Sequence, residues 1–437
     1  MEGCKRSKIG VVCNGFDTFE LKSVLTKNDA GDWGMEPDEN AVGVIRSTNF
    51  NNNGKLDLSD IAYRTLTPKK FSEKKLYASD ILIERSGGSE TQPVGRVGFI
   101  TDEMAKTDYV FANFIQRISL DDTVDAKFVY YCLQQMYEMG ITSGMQSQTT
   151  GIRNLDWRQY IKVSLPKPSL SEQTAIATML SKVDEDIEAV QGSIAAAERL
   201  KKSLMQNLLT GKMKPDGTFR TPEEFYTDEK FGKVPIGWDV KRIDEISDDV
   251  QYGLNLASSD NGNIPLLRMN NIVNGGMTNS HLVFVNIDSQ LLLQQYELEA
   301  GDILFNRTNS MDLVGKVGVF SLSGKYVFAS YLIRIKVSKK YNPYFINYAL
   351  NSYPIQCSLR SKATPAVSQA NINSKSLRHT SILMPIEKQE QDSIVNKIDY
   401  LVQIILKEQN KIIVLNKLKK SLVQNLLLGR TRVINEE

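Results

Sequence analysis

Histidine occurs only twice in the chain, as His281 and His379. Neither has a second histidine or a cysteine at ligand spacing, so a histidine-based metal centre or a Ser-His-Asp arrangement lacks its parts. Cysteine is nearly as scarce. Cys4, Cys13, Cys132 and Cys357 form no C-x-x-C pair, which suits a reducing compartment and argues against zinc sites and a disulfide framework. No stretch approaches the roughly 18 apolar residues of a membrane span. The opening MEGCKRSKIGVVCNGFD has no apolar core of useful length, so a secretion signal is not expected and a cytoplasmic location is. A large charge excess is missing too. With a net charge of +2, any nucleic-acid partner has to be met by local patches or shared with another subunit.

What is present is a repeat. LKKSLMQNLLTGK at 200–212 returns as LKKSLVQNLLLGR at 418–430, an offset of 218 (418 − 200) in a chain of 437 residues. Upstream of the first copy, Ile176, Leu180, Val183, Ile187, Val190 and Ile194 alternate in steps of four and three, the seam of a coiled coil. Adding 218 gives Ile394, Ile398, Leu401, Ile405, Glu408 and Ile412, broken only by the glutamate. Leu200, Leu204 and Leu208 are expected to prolong the first stripe, and Leu415, Leu418, Leu422 and Leu426 the second. Ser169 with Glu172 has capping-box spacing, and Gly211 can close the helix behind it. Two helices of about forty residues follow, each roughly 60 Å long, expected to pair antiparallel because the chain leaves one and returns along the other.

Ahead of each helix, short apolar runs such as DILIER, GRVGFI, DILFNR and GKVGVF predict strands, and AKFVYYCLQQMYE and PYFINYALNSY predict helices, an α/β class. These segments repeat more faintly. At an offset of 222, Arg46, Asn49 and Gly54 meet Arg268, Asn271 and Gly276, while Asp80 and Arg85 meet Asp302 and Arg307. Residues 213–236, rich in proline, glycine and charge, are expected to be a linker. The expected division is a first domain at 1–165, a spacer helix at 166–212, the linker, a second domain at 237–383, a second spacer helix at 384–430 and a tail at 431–437.

Catalytic constellations fall short. NPYF at 342–345 differs from the adenine methyltransferase Asn-Pro-Pro-aromatic motif at Tyr344 and lacks a glycine-rich cofactor loop, so it is expected to be a helix start with Pro343 in the first turn. Asp80 with Glu84 resembles the spaced acids that hold magnesium, but Asn306 stands at the position of Glu84 in the second copy. LTGK ends a helix and is no phosphate loop. Binding chemistry remains. The loops RSGGSETQPVGR and RTNSMDLVGK offer Arg85, Ser86 and Arg96, and Arg307, Thr308, Asn309 and Lys316; with Arg46, Asn49, Arg268, Asn270 and Asn271 they are the candidates for DNA contact. The competing expectation is structural: Arg85 paired with Asp80, and Arg307 with Asp302, at the strand ends. The lysines and arginines near both helix ends are expected to form solvated faces.

The paired helix endings, the openings LPKPSLSEQTAI and EKQEQDSI, the VPIGWDVKRIDEI entry to the second half and the two DIL strands resemble the specificity (S) subunits of type I restriction-modification systems. That resemblance implies an α/β fold of two target-recognition domains separated by two long antiparallel helices, with an internal pseudo-twofold duplication. It implies a non-catalytic subunit whose domains each read half of a bipartite double-stranded DNA target. It also implies two methyltransferase (M) subunits that bind S-adenosylmethionine, and restriction (R) subunits that use ATP and magnesium, with no cofactor or metal in this chain. The expectation from another class is a coiled-coil protein-interaction scaffold without DNA.

Overall fold

The computed structural model describes residues 5–13, 15–89, 91–149, 152–365 and 369–433. Cys4 and residues 434–437 of the expected tail lie outside them. The chain divides into two compact units, Met1–Gln191 with Asn410–Glu437, and Gly192–Gln409. Each therefore holds one recognition domain, the first half of one long helix and the second half of the other. No described helix is long and apolar enough to cross a membrane.

The first unit is built on an antiparallel sheet in the order Leu25–Ala30, Ile115–Leu120, Ile81–Glu84, Val97–Phe99. Every residue of Ile81–Glu84 is buried, because one sheet face meets the helix Ala126–Glu138 and the other a small core around Ile45, Phe50 and Phe111. The second unit repeats the plan: Ser247–Tyr252, Leu332–Val337, Ile303–Asn306 and Val317–Val319 are successive neighbours in its sheet, beside the helix Pro343–Leu350. The register is also shared, since Ile81 pairs with Ile118 and Glu84 with Ile115, as Ile303 does with Ile335 and Asn306 with Leu332. Cys132 is buried in the first core, whereas Cys357 is exposed.

The long helices run over Leu170–Leu208 and Lys388–Leu426, 39 residues each. Gly211 and Gly429 follow them in the left-handed region, at φ of 66° and 65°, which a Cβ would disfavour. In the first unit, Ile176 and Leu180 share a core with Val423, Leu426 and Leu427. Glu172 meets Arg432 and Asp184 meets Lys419, each at 2.7 Å, so the segments run antiparallel. In the second unit Leu204 and Leu208 pack with Ile394 and Ile398.

Two expectations about these helices are corrected. Leu200 and Leu418 are 51% and 46% exposed; the heptad step from Ile187 and Ile194 arrives at position 201, and one residue is a turn of about 100° at 3.6 residues per turn. Lys201 occupies the stripe and Leu200 points away from it. Nor is the basic face entirely solvated, because Lys419 is 16% exposed and held by Asp184.

The glutamate and glutamine of LSEQ and KQEQ join helix to domain, and do so twice. Gln173 and Gln391 are fully buried. The Gln173 carbonyl accepts the Asp125 backbone N–H at 2.9 Å and its amide donates to Pro168 at 3.0 Å; Gln391 does the same with Asn342 and Pro385, at 2.8 and 2.9 Å. Asp125 and Asn342 cap the domain helices, so NPYF is a helix start, with Pro343 in its first turn. Both residues of the pair Glu172 and Glu390 receive an arginine. Arg432 binds Glu172 and lies 5.0 Å from the Phe16 ring centre; Arg220 binds Glu390 at 2.6 Å and lies 5.6 Å from that of Trp238.

Residues 213–236 are consequently not a free linker. Phe225–Asp228 and Gly232–Pro235 form an antiparallel hairpin, the counterpart of Lys5–Ser7 with Gly10–Val12 in the first unit. Arg220 also donates to the Gly211 carbonyl at 2.7 Å, so the segment is pinned to the helix end it leaves.

Candidate nucleic-acid interface

Each central sheet has two chemically different ends. At one, Asp80 and Leu120 lie beside Asp125, Leu170 and Thr174 at the start of the long helix. Asp80 accepts the Tyr77 N–H and the Ser119 hydroxyl, and Asp302 accepts the Glu299 N–H at 2.9 Å. Burial raises both carboxyls from their ordinary value, partly offset in Asp80 by the Ser119 bond. Neither acid pairs with the arginine expected for it; Arg85 and Arg307 each lie five positions on (85 − 80, 307 − 302), just past the other end of the strand.

That other end gathers the candidates. In the first unit the Arg85 guanidinium donates to Gln116 at 3.2 Å, and the Ser86 hydroxyl donates to Asn154. Ser86–Gly88 pairs with Ile152–Leu155, which pairs with Gln146–Thr149, a polar hairpin added to the sheet end. The Ser47 hydroxyl approaches the Ser86 carbonyl at 3.5 Å, bringing the Arg46 turn alongside. In the second unit Arg307 donates to Asn371 at 3.2 Å and covers the Tyr252 ring at 4.8 Å. Thr308–Asn309 pairs with Ala370–Asn371, and the Asn309 amide reaches Met269 beside Arg268. The two clusters are equivalent: Arg85 matches Arg307, Ser86 matches Thr308, and Asn154 matches Asn371.

Three candidates prove to be internal. Asn49 and Asn271 are 2% and 0% exposed. Each accepts the backbone N–H of the arginine three residues earlier at 2.9 Å and spends its amide on two carbonyls, Asp57 and Asp60 or Thr278 and Ser280. Both amide N–H groups are spent and the side chain is buried out of reach of a base. Arg96, 7% exposed, makes a two-pronged ion pair with Glu84 at 2.7 and 2.8 Å and also binds the Ser47 and Phe50 carbonyls. It braces the turn that carries Arg46. The duplicate lacks this pair: Asn306 replaces Glu84, and Lys316 is exposed without an ion pair among the described residues. Arg46 is held by exposed Asp60 at 2.8 Å and Arg268 by the His281 carbonyl at 3.1 Å, while Asn270 is exposed.

Asn154, Asn371, Phe114 and Tyr331 are absent from the sequence candidates. The signal for the last two is a further repeat, FANFIQRI at 111–118 and FASYLIRI at 328–335, offset by 217 (328 − 111). Its arginines, Arg117 and Arg334, are buried over Phe111 and Phe328, at 5.2 and 5.5 Å from the ring centres. The first is bound to Asp29 and the second to Gln251.

The geometry is that of two similar polar surfaces, each mounted on the sheet end away from its helix joint. Residues 14–199 and 235–417 match the family described as type I restriction modification DNA specificity domain. Among curated relatives, the type I restriction enzyme StySPI specificity subunit of Salmonella potsdam is 25% identical over 82% of this chain and 74% of its own length. The EcoKI specificity subunit of Escherichia coli is 23% identical over 82% and 75%. The putative MjaX specificity subunit of Methanocaldococcus jannaschii is 30% identical over 46% of this chain, which spans about half (49%) of that relative. The solved type I S subunit of M. genitalium shares the fold, with a TM-score of 0.58 at 15% identity over 94% of this chain and 96% of that one. With two matched segments that together cover more than half of the sequence, the chain belongs to the type I restriction-modification DNA specificity family and carries two copies of its DNA specificity domain.

Proposed function

We propose that each domain reads one half of an asymmetric bipartite DNA target through the sheet end that carries Arg85, Ser86 and Asn154 in one copy and Arg307, Thr308, Asn309 and Asn371 in the other. One observation carries this reading: a shared scaffold places arginine, hydroxyl and amide groups at equivalent positions while the loops around them differ in length and sequence. Such groups read base edges and hold phosphates. Different loops on a common frame suit two different half-sites.

The long helices set the distance between half-sites in this proposal. Thirty-nine residues at 1.5 Å each give about 58 Å, or about 17 base pairs at 3.4 Å. Methyl transfer requires a cofactor pocket that the sequence motifs do not provide, so the reaction belongs to partners: two methyltransferase subunits docked on duplicated surfaces, joined by restriction subunits when the assembly cleaves. Co-expression with a type I methyltransferase subunit from the same genome, followed by mapping of methylated adenines, is expected to reveal one bipartite motif with unequal halves. Absence of any such motif overturns the reading. Adding one heptad to both helices is expected to lengthen the accepted spacer by about three base pairs; an unchanged spacer would remove the ruler from the proposal.

A further inference from the structure

Phe114 and Tyr331 occupy the same position of the FANFIQRI and FASYLIRI repeat, and they are 46% and 50% exposed. The other aromatic of each repeat, Phe111 or Phe328, is fully buried. Between them the chain has diverged, with Asn113 in one copy and Ser330 in the other. An exposed ring is thus present twice in a turn whose neighbours have changed.

Neither ring belongs to a hydrophobic core of its unit. What the turn supplies structurally comes from its backbone: the Phe114 carbonyl accepts the Arg85 and Ser86 N–H groups at 2.8 and 3.2 Å, and the Tyr331 carbonyl accepts that of Arg307 at 3.0 Å. Any residue could make those bonds. They also fix the ring's root one hydrogen bond away from the arginine on the proposed DNA face. The turn is held from below as well, because Gly31 and Gly253 donate to the Ile115 and Leu332 carbonyls, both at 3.1 Å. A half-exposed aromatic whose backbone is hydrogen-bonded to the arginine of the polar surface has the chemistry of a residue that stacks on bases or wedges between them.

We propose that Phe114 and Tyr331 are paired wedge residues, each inserting its ring at a base step of its own half-site. The inference rests on the DNA reading above and adds to it a local unstacking of both half-sites. A partner that must extract an adenine from the duplex benefits, since part of the unstacking cost is met by the specificity subunit.

The test uses the full methyltransferase–specificity complex and a duplex carrying the mapped bipartite motif, with 2-aminopurine placed in turn at each half-site step. Wild-type complex is expected to raise the fluorescence at one step in each half. Phe114→Ala is expected to abolish the rise in one half only, Tyr331→Ala in the other, and each to weaken binding roughly 5- to 100-fold. Phe114→Tyr and Tyr331→Phe are expected to retain both signals. The salt dependence of binding stays at the wild-type slope in the alanine variants, whereas Arg85→Ala and Arg307→Ala each reduce it by about one. Unchanged melting temperatures show that the variants are folded. Alanine variants that bind within twofold of wild type, with the fluorescence rise intact, overturn the wedge while leaving the DNA reading standing. Failure of the wild-type complex to bind any bipartite duplex overturns both.

Discussion

Replacing Arg96 with methionine will destabilise the first unit by about 3–5 kcal/mol, the usual cost of removing one partner of a buried ion pair. Glu84, 1% exposed, would be left as an uncompensated carboxylate under the sheet. The Ser47 and Phe50 carbonyls would also lose the guanidinium as a donor. Methionine keeps much of the volume, so the loss is electrostatic and not a cavity effect. The double variant Arg96→Met with Glu84→Met is expected to recover part of it, because a buried pair replaced by apolar groups is often neutral. It will not recover all, since the Phe50 carbonyl stays unpaired, while that of Ser47 keeps the Phe50 N–H. Urea denaturation followed by hydrogen exchange at Ile81–Glu84 checks this; a single variant as stable as wild type would show that the pair contributes nothing. The second unit supplies the internal control, holding the same strands with Asn306 and Lys316 and no ion pair between them.

That contrast explains why Arg96 looked like a DNA-binding residue from sequence. An arginine in a polar loop, aligned with a lysine in the other copy, presents the same pattern whether its head group faces solvent or folds back onto a carboxylate. Only the partner decides, and Glu84 lies twelve positions away across a turn. Asn49 and Asn271 misled for the same reason: the pairing of asparagine with arginine at a three-residue spacing was visible, but its cause is a capping contact and not a shared ligand. What could be read directly is what periodicity carries. Both helices, their glycine ends and the repeat at 218 follow from side chains that must alternate between core and water. The hairpin at 225–235 was hidden by its composition, since proline, glycine and charge mark a short exposed hairpin as readily as a linker. FANFIQRI and FASYLIRI escaped because their offset of 217 matches neither the 222 and then 220 (315 − 95) of the preceding segments nor the 218 of the helices. Loop-length changes shift the frame, while the buried Phe111, Ile118, Phe328 and Ile335 keep the motif recognisable.

Gly31→Ala and Gly253→Ala are each expected to cost about 3 kcal/mol or more and to displace the turn that carries the exposed aromatic. The two glycines are equivalent, 222 residues apart (253 − 31). A methyl group at Gly31 would fall well inside contact distance of the Phe111 and Ala112 carbonyl oxygens, and one at Gly253 would meet those of Phe328 and Ala329. Those obstacles are backbone atoms, so no rotamer change relieves them. Either the glycine strand moves away, weakening its N–H bond to the Ile115 or Leu332 carbonyl, or the turn itself shifts and takes Arg85 or Arg307 with it through the Phe114 or Tyr331 carbonyl. Both routes loosen the polar surface of one domain and leave the other domain intact. Gly192→Ala is the matched control: it lies inside the first long helix with open space where its methyl would sit. That change is expected to stabilise by about 0.5–1 kcal/mol through helix propensity. Chemical denaturation of the three variants, with footprinting of each half-site on the bipartite duplex, separates the outcomes. Protection should disappear from one half with Gly31→Ala, from the other with Gly253→Ala and from neither with Gly192→Ala; equal loss from both halves in either domain variant would show that the two readers are not independently built.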